Sequence, residues 1–317
     1  MAQNVTDMPD VCTIQTCPLE WAYLDYFPTY AGNLAYLVIF ALLLVLQTGL
    51  GVWYRTWGFL VGMFCGLLLE VLGYVGRLKL NKNPFEFDAF LLYLIPLTLG
   101  PAFLAASIYL CLARIVTVYG ANLSRLRPRT YTIVFITCDF LSLVLQSVGG
   151  ALAATSEIDA DGDTGVHIMV AGLAFQVFSL LLFMALWAEF VWTVRRVQDG
   201  RKDQRFGWLR SSFKFKAFQY SLWAAAIFIF IRSVFRVAEL QEGFDGPIMQ
   251  NEAVFMVLEG PMVILATLVL SVLHPGFAFS GSWHAATWTF RQKKHNDAMA
   301  LRRDGLEIRS PLKSSQV

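Results

Sequence analysis

Charge is scarce in this chain. Only 15% of its 317 residues are Asp, Glu, Lys or Arg, where a soluble domain carries about a quarter. The deficit accompanies 56% hydrophobic residues and a mean hydropathy of +0.54, and together they exclude an ordinary water-soluble globule. Histidine is rarer still, with four copies: His167, His274, His284 and His295. A seven-helix zinc hydrolase needs several histidines converging on one ion, and these are scattered between apolar runs and the tail. No metal site and no cofactor is expected. A Gly-x-x-x-x-Gly-Lys-Ser/Thr phosphate loop is absent, which excludes ATP-driven pumping by this chain alone. A serine nucleophile has no histidine base deep in any apolar run, so the chain reads as a non-enzyme. The net charge of +2 offers no face for nucleic acid, because the basic residues lie in short loops beside apolar runs. Anionic lipid of the cytoplasmic leaflet is their plainer partner.

Cysteine is sparse too. Of five, Cys65, Cys111 and Cys138 fall inside apolar runs and read as packing residues. Cys12 and Cys17 precede the first run, and spacing leaves both a disulfide and two free thiols open. Asn4-Val5-Thr6 is a glycosylation acceptor pattern in the same segment. The polar, acidic opening shows no cleavable signal peptide, so the first span is expected to translocate a short tail.

What is abundant is apolar sequence in seven runs: 32–53, 57–79, 89–119, 131–154, 166–194, 217–238 and 252–273. Each meets the roughly 20 residues needed to cross hydrocarbon. The connections alternate in charge. Arg195, Arg196, Arg201, Lys202, Arg205, Arg210, Lys214 and Lys216 crowd one loop, whereas the preceding one holds Glu157, Asp159, Asp161 and Asp163 without Lys or Arg. Short Lys/Arg-rich loops stay cytoplasmic. The expected fold is therefore all-α, an integral membrane bundle of seven transmembrane helices, N-terminus outside and C-terminus cytoplasmic. Lys79 and Lys82 run against the pattern without overturning it. Residues 1–31 form an extracellular segment, 32–276 the membrane domain, and 277–317 a largely disordered cytoplasmic tail. Within that tail Trp283, Trp288 and Phe290 beside Arg291, Lys293 and Lys294 suit a short surface-lying helix. Pro96 and Pro101 are expected to kink the third span.

Polar residues inside the spans recur at helical spacing. The second span carries Gly58, Gly62, Gly66 and Glu70, then Tyr74 and Arg77. The fourth has Asp139, Ser142, Gln146, Gly149 and Gly150, and the fifth Gly165, Gly172, Gln176 and Ser179. Arg232, Arg236 and Glu239 share a face of the sixth, and Glu252 and Glu259 stand a heptad apart on the seventh. Small residues at this spacing let helices approach closely. A charge at mid-bilayer costs at least about 2.5–3.5 kcal/mol, so these groups need each other, water or a ligand. Glu70 falls about 20 Å along its helix from Trp57, in the outer half with the groups of spans six and seven. Asp139 and Arg114 lie nearer the cytoplasm. Two readings stay open at this point: structural ion pairs, and a polar cavity that receives a charged headgroup while its alkyl chain stays among the helices.

Glu70-Val-Leu-Gly-Tyr-Val-Gly-Arg77, Asn83-Pro84-Phe85, the run from Pro101 to Arg114, and Asp139 to Gln146 with Gly149-Gly150 form one series. Gly172 with Gln176, Arg232-Ser-Val-Phe-Arg236 with Glu239, Gly243 and Glu252, and His274-Pro275-Gly276 continue it. In this order, over roughly residues 30–276, the series resembles the fungal lipid-translocating exporters, the RTA-like proteins named for resistance to aminocholesterol. Glu259 stands where that family more often has Asp, and Gly100-Pro101 replaces the commoner Ala-Pro. The resemblance implies a seven-span protein of the plasma membrane or an endomembrane that moves sphingoid bases or other amphiphiles, or confers resistance to toxic ones. The candidate substrate-binding residues are then Glu70, Tyr74, Arg77, Asp139, Gln146, Gln176, Arg232, Arg236, Glu239, Glu252 and Glu259. Membrane lipids and an amphiphilic small molecule are the expected partners; oligomeric state is not legible. The rival class is a seven-helix lipid-sensing receptor signalling through the basic loop and tail. Against it, no acid precedes Arg114, and the last span ends in His-Pro-Gly.

Overall fold

The computed structural model describes residue 24 and residues 26–155, 161–198, 202–241 and 250–286. Its helices are α1 (Tyr30–Trp53), α2 (Trp57–Lys82), α3 (Phe87–Tyr119), α4 (Pro128–Thr155), α5 (Asp161–Arg196), α6 (Gly207–Ser211), α7 (Phe213–Gln241), α8 (Glu252–Leu258), α9 (Gly260–Val272) and α10 (Pro275–Ala278). Seven segments are long and apolar enough to span a membrane: α1 to α5, α7, and Glu252–Ala278. The protein is a multi-pass integral membrane protein. Helices suit that solvent because each satisfies its own backbone N–H and C=O groups.

The bundle is organised around α3, the most buried span. Two hairpins pack tightly. In the first, α2 lies against α3 so closely that a Cβ on Gly76 would come 2.5 Å from the Tyr93 backbone nitrogen. In the second, a Cβ on Gly149 of α4 would come 2.4 Å from the Met169 nitrogen of α5. These are the glycine stripes of the sequence, used for helix approach. The hairpins meet each other less closely along α3 and α4, and α7 with α9 closes the far side. α1 keeps a lipid-facing row, Leu42, Val45 and Val52, and buries only a narrow stripe.

α3 runs through Pro96 and Pro101 as one helix, in keeping with a single third span. Two departures from the expected spans have local causes. The last span is divided at Glu259, where Gly260-Pro261 begins a new helix; a proline there has no N–H to continue the preceding turn. The chain also stays packed past residue 276. His274 Nδ1 accepts from the Gly276 N–H at 3.1 Å and starts α10. Phe279 packs edge-on against Phe215 and Phe218. Trp283 is 3% exposed, so it does not lie on the surface. The Arg114 guanidinium sits 3.8 Å from the Trp283 ring centroid and donates to its carbonyl. The remainder of the tail, with Trp288, Phe290, Arg291, Lys293 and Lys294, lies outside the described residues, as do Asn4, Cys12 and Cys17.

Candidate functional site

On one side of α3 the charges pair with each other. Arg236 Nη1 meets Glu239 Oε2 at 2.5 Å, one turn along α7, with both side chains fully buried. Its Nη2 donates to Thr98 Oγ1 of α3 at 3.1 Å. Arg232 pairs with Glu259, which sits at the α8–α9 break, and also donates to the Leu97 carbonyl. That carbonyl is free because Pro101, four residues on, has no N–H to offer it. The proline thus supplies an acceptor at the depth where a guanidinium needs one.

Arg77 anchors the amino end of the same region. Its Nε donates to Asn33 Oδ1 at 2.8 Å and its Nη2 to the Tyr26 hydroxyl at 3.2 Å. Glu252 Oε1 lies 3.8 Å away. The rings of Phe255 and Tyr93 stand 3.9 and 4.9 Å from the guanidinium carbon, cation–π contacts that favour a buried charge. Glu252 in turn accepts from the Thr29 N–H at 2.5 Å and hydroxyl at 2.8 Å, tying the start of α1 to α8. Burial, the largest influence on Tyr26, holds its hydroxyl above the ordinary phenol pKa, so it stays neutral beside Arg77.

Glu70 lies within this region without a direct partner. It is fully buried, and neither carboxylate oxygen has a hydrogen bond. Its charged neighbours are Arg232, Glu259 and Arg236. Gly100 makes room for it, since a Cβ there would fall 2.9 Å from Oε1. Tyr74, one turn on, stacks on Phe40 at 5.3 Å, and its hydroxyl fits only because residue 260 is glycine.

The other side of α3 is built differently. Asp139 on α4 is 4% exposed, and both its oxygens lack partners. The Tyr109 hydroxyl of α3 is its polar neighbour and its nearest hydrogen-bonding group. Gln146 Nε2 donates to Gln176 Oε1 at 3.0 Å, leaving Gln146 Oε1 buried and free. Beside them a cleft of about 290 Å³ opens between the hairpins, walled by Phe87, Leu91, Leu94 and Ile95 of α3 and by Gly150 and Met169. Only Thr98, Ser147 and Gln146 interrupt its apolar lining.

The family model described as RTA1 like protein matches residues 63–282. This chain belongs to the RTA1-like family. Its relatives include the sphingoid long-chain base transporter RSB1 of Saccharomyces cerevisiae, 34% identical over 286 residues, which cover 82% of this chain and 75% of that protein. Protein RTM1 of the same species is 28% identical over 218 residues, covering 68% of this chain and 67% of RTM1. Protein RTA1 is 27% identical over 211 residues, covering 66% and 63%. No solved structure matches the chain.

In this RTA1-like bundle the predicted site residues divide into two groups. Glu70, Tyr74, Arg77, Arg232, Arg236, Glu239, Glu252 and Glu259 gather on the α2–α7–α9 side of α3, all but Glu252 buried. Asp139, Gln146 and Gln176 gather on the α4–α5 side, and of the full set only Gln146 lines the cleft. Sequence reasoning missed Asn33, Thr98 and Tyr109. Asn33 carried a signal, an amide inside an apolar run. Thr98 and Tyr109 carried none, because hydroxyls are common in membrane helices.

Proposed function

We propose that this protein moves a long-chain amphiphile, a sphingoid base or a related compound, between or across membrane leaflets, without cofactor and without catalysing a chemical change. The observation that carries the reading is the apolar cleft between the hairpins, about 290 Å³, whose lining is interrupted only by Thr98, Gln146 and Ser147. Such a slot suits an alkyl chain with a polar head. The named activity of the RSB1 relative supports the same substrate class. The basic loop between α5 and α7 supports a cytoplasmic C-terminus, and the plasma membrane is the expected residence. The buried groups of both sides hold the helices in register around the slot, with Glu70 and Asp139 as the acids left for substrate.

The test is lipid movement in liposomes containing the purified protein and a labelled sphingoid base. Native protein is expected to move the base, and Gly150→Leu, which fills the cleft from α4, to slow it sharply while remaining folded. Movement no faster than in empty liposomes would remove the reading. Binding without movement, with recruitment of a cytoplasmic protein, would make the chain a lipid-sensing receptor.

A further inference from the structure

The transport reading leaves open where a positively charged head would rest. Buried polar groups nearly always have partners, yet Asp139, Tyr109, Ser179 and Gln146 each keep at least one buried oxygen with none. They come from α3, α4 and α5. Gln146 lines the cleft, and Asp139 lies two turns further along the same helix, about 10 Å at about 1.5 Å per residue. Its neighbours Phe140 and Leu141 are 62% and 50% exposed, so α4 turns Asp139 inward and those two outward.

Of the two buried acids without direct partners, Asp139 is the better receptor for a cation. Glu70 sits among ion pairs, Arg232 with Glu259 and Arg236 with Glu239, so a cation brought to it would compete with two guanidinium groups already in place. Asp139 has no ion pair and no guanidinium neighbour among the described residues; Tyr109 is its polar neighbour. An uncompensated carboxylate in the interior favours a cation with hydrogen-bond donors. A primary ammonium next to a hydroxyl supplies both. Tyr109 and Gln146 add acceptors for the donors that the carboxylate leaves over.

We infer that Asp139, with Tyr109 and Gln146, receives the protonated amine and adjacent hydroxyl of a long-chain base whose alkyl chain lies in the α3–α4–α5 cleft. The inference rests on the transport reading above. It also fixes an orientation. The head points toward the end of the bundle that carries the α3–α4 connection and the chain toward the opposite end, the attitude of a lipid taken from the leaflet on the α3–α4 connection side.

The experiment uses full-length protein in liposomes, a fluorescent sphingoid base with a free amine, and its uncharged N-acetyl counterpart. Asp139→Asn is expected to slow the free base at least about tenfold, as for loss of a charge-assisted hydrogen bond, and to leave the N-acetyl lipid unchanged. Asp139→Glu is expected to retain most of the movement. Folded Asp139→Asn that moves the free base at the native rate overturns this site alone. Native protein that neither moves nor binds the base overturns the transport reading and the site with it. A measurement independent of any variant is photolabelling of native protein by a base carrying a diazirine beside its amine. Label within residues 128–155 or at Tyr109 is expected, and label confined to α2 and α7 overturns the proposal.

Discussion

On the α7 side of α3, Arg232 meets Glu259, Arg236 meets Glu239 and Thr98, and Arg77 is held by Asn33, Tyr26 and three aromatic rings. On the α4 side, Asp139, Tyr109 and Ser179 are equally buried, and Asp139 has only the neutral Tyr109 hydroxyl beside it and no counter-charge among the described residues. Both sides face the same apolar solvent, so burial alone does not explain the difference. A charge that has found its counter-charge is part of the scaffold, and removing one member strands the other. An acceptor kept in the interior without a donor contributes nothing to that scaffold. Asp139 lies two turns along α4 from Gln146, which lines the cleft.

The contrast can be broken most forcefully at Arg236. Arg236→Ala leaves Glu239 charged and buried, and is expected to cost about 3–5 kcal/mol, read as a loss of folded protein in thermal unfolding. Arg236→Met combined with Glu239→Leu should recover most of that loss, because it removes both charges. If the double variant is as unstable as the single one, the pair is not the source of the cost.

Adjacent glycines offer a sharper and smaller comparison. A Cβ at Gly149 would press on the Met169 backbone, whereas one at Gly150 meets only the Met169 sulfur at 3.8 Å. Gly149→Ala is expected to destabilise by about 1–3 kcal/mol. Gly150→Ala should be neutral or gain up to about 1 kcal/mol of helix propensity. Equal melting temperatures for the two would mean that the α4–α5 contact is looser than described.

Glu70→Gln tests the region's exception. With no hydrogen bond to lose, it is expected to change stability by less than about 1 kcal/mol, unlike any change to its paired neighbours. The smallest effect belongs outside the membrane segments, where Arg205 bonds Asp203 at 2.6 Å and holds its carboxyl below the usual range. A depressed pKa stabilises fully above the unfolded value of about 3.9, and the gain disappears as pH falls through the lower folded value. Arg205 is 74% exposed, so screening limits the pair to about 0.2–1 kcal/mol. Asp203→Asn should lower stability by no more than that at neutral pH, and by progressively less as pH falls below the usual carboxylate range.

The spans were legible because hydropathy is a local property; the observed helices differ from the apolar runs by a few residues at their ends. The inward faces were legible for the same reason, since spacing along one helix places Glu70, Asp139 and Arg236 away from lipid. Which acid meets which arginine was not, because that depends on the rotation of one helix against another. The Leu97 carbonyl illustrates the limit. Pro101 signals a bend in its own helix, and nothing in its local sequence tells that the carbonyl it frees binds Arg232 from α7. At Glu259 a heptad spacing suggested one continuous helix, and Gly260-Pro261 was the overlooked signal for a break. The packed segment after residue 276 has mixed composition, and only its fit against Phe215, Phe218 and Arg114 reveals it as part of the bundle.

That last feature decides where the chain can be cut. A Cβ on Gly276 would strike the Tyr54 side chain, and Trp283 covers the Arg114 guanidinium. Truncation after Pro275 therefore strips a lid from a cation at the base of the central helix. A fluorescent reporter or affinity handle joined beyond Ala286 leaves that lid seated.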